Sequence, residues 1–154
     1  MGQVPAADRW ATQVQEAFGF LDSLRFRVVD GGTYRLGNWT LFRNGSAGIH
    51  LDCDGDSRSL TVDVMRLDDN RLPERWWEPQ TPRVRLGLRE VAELLAPEAL
   101  TGVADLPEIE READRAPHLQ FWACVLRGVA AEWLRGNPDW FDDVASRLPQ
   151  RRWD

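Results

Sequence analysis

The side chains best able to do chemistry crowd between residues 50 and 63: His50, Asp52, Asp54 and Asp63, with Cys53 and Asp56 among them. A histidine beside carboxylates could hold a divalent metal or exchange protons with a substrate. Alternate residues of a strand share a side, so these four are expected together on the wet face of one hairpin. Metal sites usually draw nitrogen or sulfur ligands from several elements, and the only other histidine, His118, opens a helix. The run Asp52-Cys53-Asp54-Gly55-Asp56 imitates a calcium loop, but its glycine is fourth where the sixth is required, Ser57 is sixth, and strands flank it in place of helices. An Asp- and Gly-rich turn accounts for it. The expectation is solvated acids with no metal and no cofactor. The alternative is a small enzyme or metal-dependent ligand-binding protein using His50, Asp52, Asp54 and Asp63. No serine or cysteine stands in a nucleophile-elbow setting, Cys53 alternates inward with aliphatic residues, and Gly31-Gly32 lacks any phosphate-loop pattern.

Charge is distributed unevenly. The 154 residues hold 25 acids and 19 basic residues, a formal net charge of −6, and every basic residue is arginine. Total loss of lysine reflects codon bias better than chemistry. Residues 86–114 carry Glu90, Glu93, Glu98, Asp105, Glu108, Glu110, Glu112 and Asp114 against Arg89 and Arg111, which accounts for the whole excess. Such a run is either a solvated connection or a patch that steers a basic partner into contact. Nucleic acid is disfavoured, because a duplex is held by a basic face. Trp76-Trp77 leaves a similar choice, since paired tryptophans serve as interface anchors or as core packing.

These groups need elements to position them. Trp10, Val14, Ala17, Phe18, Leu21 and Leu24 form one helical stripe between Pro5 and Leu24, with an end or kink expected at Gly19. The period then becomes two: Phe26 and Val28, a turn at Gly31-Gly32, a run from Trp39 to Arg43, a hairpin turn at Asn44-Gly45, then Ala47, Ile49, Leu51 and Cys53, and finally Leu60, Val62 and Val64. This predicts an antiparallel meander of about four strands with one apolar and one wet face. A long loop follows from Leu67 to Arg85, leaving room for a short strand at Arg83 to Leu86. Leu88 to Leu95 reads as a helix stopped by Pro97, Pro117 to Leu134 as the best helix, and Asn137 with Pro138 as the start of a last one burying Trp140, Phe141, Val144 and Leu148. Trp10, Trp39, Trp122, Trp133 and Trp140 occupy core positions in these patterns. The expected fold is one α+β domain over residues 1–154, in the order α-β-β-β-β-α-α-α, with Phe26, Val28, Leu51, Val62 and Val64 beneath the first helix and the Pro117 to Leu134 helix.

The first 25 residues include Asp8, Arg9, Gln13, Gln15, Glu16 and Asp22, which leave no apolar run for a signal peptide or membrane helix; a cytoplasmic protein with two buried thiols, Cys53 and Cys124, is expected. Phe18-Gly19-Phe20-Leu21 leading into Phe26-Arg27-Val28-Val29, the hairpins through Leu51 and Val64, and Trp133-Leu134-Arg135-Gly136-Asn137 followed by Phe141 resemble small actinobacterial immunity proteins encoded beside polymorphic or contact-dependent toxins. The resemblance implies an acidic, non-enzymatic antitoxin that binds a cognate toxin domain and blocks or distorts its active site. On that reading the partner is basic, and it meets Trp76, Trp77, Asp105, Glu108, Glu110 and Glu112.

Overall fold

The first apolar stripe winds into α1 (Ala6–Phe18), and the chain tightens at Gly19 into a 3-10 turn (Gly19–Leu24). The computed structural model describes residues 6–34, 37–55, 58–67, 72–78 and 83–149. Trp10, Val14, Ala17, Phe18 and Leu21 are all buried, and the indole Nε1 of Trp10 donates to Thr40 Oγ1 at 2.8 Å, pegging the helix to the sheet. A buried indole N–H needs such a partner, because an unpaired donor costs about 1–3 kcal/mol.

Five strands follow: β1 (Arg27–Tyr34), β2 (Gly37–Asn44), β3 (Ala47–Asp54), β4 (Ser59–Arg66) and β5 (Arg85–Gly87). They lie in chain order, each antiparallel to its neighbour, so the meander expected from the sequence is present with one strand more. Gly45 and Ser46 turn β2 into β3, one residue beyond the expected Asn44-Gly45, with Asn44 still paired to Ala47 and Gly45 at φ 60°, a left-handed conformation that glycine adopts without strain. Gly31 and Gly32 do not form the expected turn. They sit inside β1 opposite Thr40 and Trp39, where a Cβ on Gly32 would come within 3.0 Å of the Trp39 indole nitrogen. The pairing of β1 with β2 continues to Tyr34 opposite Gly37, and residues 35–36 lie outside the described residues.

On the helix side of the sheet, Phe42, Ile49, Leu51, Val62 and Val64 join α1, α2 (Leu88–Leu95), α3 (Arg115–Val129), α4 (Ala131–Leu134) and α5 (Asp139–Arg147) in one core. The predicted Pro117 to Leu134 helix starts at Arg115 and breaks at Ala130 into α3 and α4. Asn137 does cap the last helix, its Oδ1 accepting from the Asp139 N–H at 3.1 Å. Val28 departs from expectation: it lies opposite Phe42 on the edge strand yet is 56% exposed, and a register shift between Val28 and Asp30 disturbs the alternation beside it.

The other face of the sheet is not simply wet. Leu41, Met65 and Leu67 are buried there as a second, small cluster, with Val29, Trp39, Leu72 and Trp76 packed against them. Trp39 thus belongs to this face and not to the main core. Leu67 crosses Gly48 so closely that a Cβ there would meet its side chain at 2.7 Å. Among the described residues no helix is long and apolar enough to cross a membrane.

Candidate functional site

Pairing of β3 with β4 sets His50 opposite Asp63, and pairing of β4 with β5 brings Arg85 beside them. His50 is 1% and Asp63 5% exposed, so the expected solvated face is overturned at these two positions. The reason is the long loop. Its described stretch, residues 72–78, folds back over the sheet and lays Trp76 on His50, ring centroids 4.6 Å apart, while Trp39 of β2 flanks the imidazole at 5.8 Å.

Asp63 Oδ1 accepts from Arg85 Nη1 at 3.2 Å, and its Oδ2 is 3.8 Å from His50 Nδ1, beyond hydrogen-bond reach. His50 Nδ1 is buried without a hydrogen-bond partner. The Arg85 guanidinium is also 6.0 Å from the centre of the Trp76 ring. The buried Asp63 carboxylate and His50 imidazole, the partly exposed Arg85 and the two indoles therefore form one polar-aromatic cluster. Such a cluster costs desolvation and is held by its mutual pairing.

The loop tryptophans divide the two roles left open by the sequence. Trp76 packs inward, whereas Trp77 stands edge-on to it at 6.1 Å and is 51% exposed. Asp52 and Asp54 do not join His50 and Asp63. Asp52 Oδ1 accepts from the Tyr34 hydroxyl at 2.6 Å, and desolvation followed by this hydrogen bond raises the Tyr34 hydroxyl above its ordinary range. Asp54 lies at the end of β3, and Asp56 and Ser57 lie outside the described residues. No group of three or more metal-capable side chains occurs among the described residues.

The acidic segment runs on the opposite side, anchored by Ile109 in the helix-side core. Asp105, Glu108 and Glu110 are exposed, and Glu110 Oε1 comes to 4.0 Å from Arg58 Nη1 in the β3–β4 turn. Glu112 is committed to α1: its carboxylate pairs with Arg9, and its carbonyl accepts from Gln13 Nε2 at 2.8 Å. Gln13 Oε1 in turn accepts from Arg115 Nε at 2.9 Å. Arg115 is 5% exposed, and burial lowers its pKa from the ordinary arginine value. Asp114 Oδ2 accepts the Glu110 and Arg111 N–H groups at 3.1 and 2.9 Å, which holds its carboxyl below the usual range. Cys53 is buried and Cys124 exposed, both as free thiols, so the expectation of two buried thiols fails for Cys124.

Sequence reasoning missed Arg85 as the partner of Asp63 and missed the second apolar layer. A signal for that layer was present: Trp39, Leu41 and Met65 are apolar residues at positions that share the side of His50. Comparison of the chain with protein-family models, curated proteins and solved structures finds no match.

Proposed function

We propose that this chain is an immunity-type protein that binds and neutralises a basic bacterial toxin domain, with Trp77 as the anchor of the contact. The observation that carries this reading is the exposure of Trp77 on a fixed support: its ring stands against Trp76, which rests on the buried His50. A large aromatic group held in place loses little conformational freedom on binding, and tryptophan is enriched among residues whose removal costs interfaces most. Asp105, Glu108 and Glu110 add a field that draws a basic partner during approach. Glu112 contributes to the same field but is tied to Arg9. The burial of His50 and Asp63 beneath Trp39 and Trp76 favours binding over the enzymatic alternative, because catalysis needs these groups within reach of a substrate. Co-expression with the toxin encoded beside it tests the reading. Restored growth and a stable complex are expected; growth arrest without a complex would contradict it.

A further inference from the structure

Trp77 stands beside Trp76 over the outer face of the sheet, and the helix layer on the other face carries a groove of its own. The 3-10 turn Gly19–Leu24 supplies Phe20 and Leu24 as one wall, and the α3–α4 segment supplies Arg127, Ala131, Leu134 and Arg135 as the other, around a space of about 360 Å³. These last four recur at i, i+4, i+7 and i+8, one helical face two turns long. The N–H groups of Ala130, Leu134 and Arg135 donate to the carbonyls of Leu126, Ala130 and Ala131, so the i to i−4 pattern runs on across the break at Ala130. At a rise of roughly 1.5 Å per residue, the backbone positions of Arg127 and Arg135 stand about 12 Å apart, with apolar floor between them.

Both guanidinium groups are placed by contacts with the lining itself. The Arg127 Cζ lies 4.8 Å from the centre of the Phe20 ring, an attraction that uses the charge of the cation and leaves its N–H groups uncommitted. The Arg135 Nε donates to Ala131 O at 3.2 Å, which folds the side chain back along the groove and leaves its two terminal nitrogens uncommitted. Neither arginine forms an ion pair with a described residue. Asp22 and Glu132, the acids next in sequence to the two walls, accept from Gln15 Nε2 and Asn137 Nδ2 instead.

We propose that this groove docks an acidic amphipathic helix of a partner protein, whose carboxylates two turns apart meet Arg127 and Arg135 while the apolar residues between them cover Phe20, Ala131 and Leu134. Charge complementarity selects this occupant. A cation at each end of an apolar floor asks for an anion at each end of an apolar stripe, which is the i, i+3, i+4, i+7 face of a helix laid in a groove. A fatty acid carries one charge and leaves one arginine without a partner. A nucleotide finds no polar floor, because the one hydroxyl of the lining, Ser23 Oγ, already donates to Phe20 O at 2.8 Å. The chain as a whole carries −6, so an acidic segment approaches against the long-range field and is held only by local cations; the match of two charges to two arginines then sets the specificity. The sign is opposite to that of the partner proposed for Trp77.

The full chain, without toxin, is titrated with the acetylated and amidated peptide QEAQLLAQEQ, with its counterparts in which one or both Glu are replaced by Gln, and with sodium decanoate, while backbone amide resonances are followed. Saturable shifts at Ser23, Leu24, Ala131 and Leu134 are expected with the first peptide, and its affinity should fall as sodium chloride is raised. Arg127→Gln and Arg135→Gln should each weaken that affinity about threefold and the double variant about tenfold, since the two charges act at separate ends. Ala131→Glu places a carboxylate on the floor and should weaken binding by about tenfold or more while circular dichroism shows it folded. Arg89→Gln, on α2 outside the groove, should bind as the parent does. Absence of saturable shifts, either Gln counterpart binding as tightly as the first peptide, decanoate binding more tightly than it, or the double variant titrating like the parent would each overturn the proposal. Self-association of the parent chain that the double variant abolishes would assign the groove to a second copy and overturn it as well. None of these outcomes depends on the toxin contact, so the two readings fail separately.

Discussion

The ring of Trp76 lies 4.6 Å from that of His50, centroid to centroid, so a residue from the loop beyond β4 closes over a histidine in the middle of β3. That contact turns one half of the sheet's outer face into an interior and decides which neighbouring tryptophan remains available. Trp76 carries the packing, and Trp77 carries the exposure.

The two indoles should respond differently to truncation. Trp76→Ala strips the cover from His50 and part of the second apolar cluster and is expected to cost about 2–3 kcal/mol of stability. Trp77→Ala loses one edge contact and should cost less than about 1 kcal/mol. Urea unfolding of the two variants measures both; equal losses would refute the division of roles.

Asp63 depends on Arg85 for its only charge partner at hydrogen-bond distance among the described residues. Arg85→Met leaves a buried carboxylate beside an unpartnered imidazole nitrogen and should cost about 2 kcal/mol, below the figure for a fully buried pair because Arg85 is itself 31% exposed. Asp63→Asn in the same chain should recover part of that loss. A double-mutant cycle showing simple additivity would mean that the pair does not interact.

Thiol chemistry should separate the two cysteines. Burial raises the Cys53 thiol above its ordinary value of 9.0, with nearby Arg115 opposing the shift, so the folded chain disfavours its thiolate. An aromatic disulfide reagent at about pH 8 should therefore modify Cys124 quickly and Cys53 only on unfolding. By linkage, the stability associated with a neutral Cys53 is retained below the ordinary thiol pKa and lost as pH rises through the higher folded value. Rapid modification of both thiols in the folded protein would contradict the burial.

Asp114 sets an acid dependence of opposite sign. Its carboxylate is favoured in the folded state by the Arg111 and Glu110 N–H groups, so its folded pKa lies below the ordinary 3.8. The stabilisation is present above that ordinary value and disappears as pH falls through the folded one. Asp114→Ala should be less stable than the parent at neutral pH, and the difference should shrink as pH falls below about 4. Melting curves across that range check it; a difference independent of pH would rule out the charge as the cause.

Much of the fold was legible because burial on the helix side follows simple periods. The stripes through Trp10, Leu21, Trp122 and Phe141, and the alternation of Ile49, Leu51, Val62 and Val64, fall in the core as expected. The outer face was less legible because a charged residue reads as exposed until its partner is known. His50 and Asp63 are buried by a loop whose course no period records, and Arg85 becomes visible as a partner only once β5 pairs with β4. Gly31-Gly32 misled for a related reason. A glycine pair signals a turn locally, whereas here Gly32 makes room for the indole of Trp39 and Gly31 for its backbone carbonyl across the strands.

The proposed binding of a toxin through Trp77 is tested most directly by the dissociation rate of a complex between this chain and a candidate basic toxin domain. Trp77→Ala, shown by circular dichroism to be folded, should dissociate faster by a factor corresponding to about 2 kcal/mol or more, roughly thirtyfold, while its association rate changes little. An unchanged dissociation rate would remove Trp77 from the contact, and failure of the parent chain to bind or inhibit the toxin at all would contradict the immunity function itself.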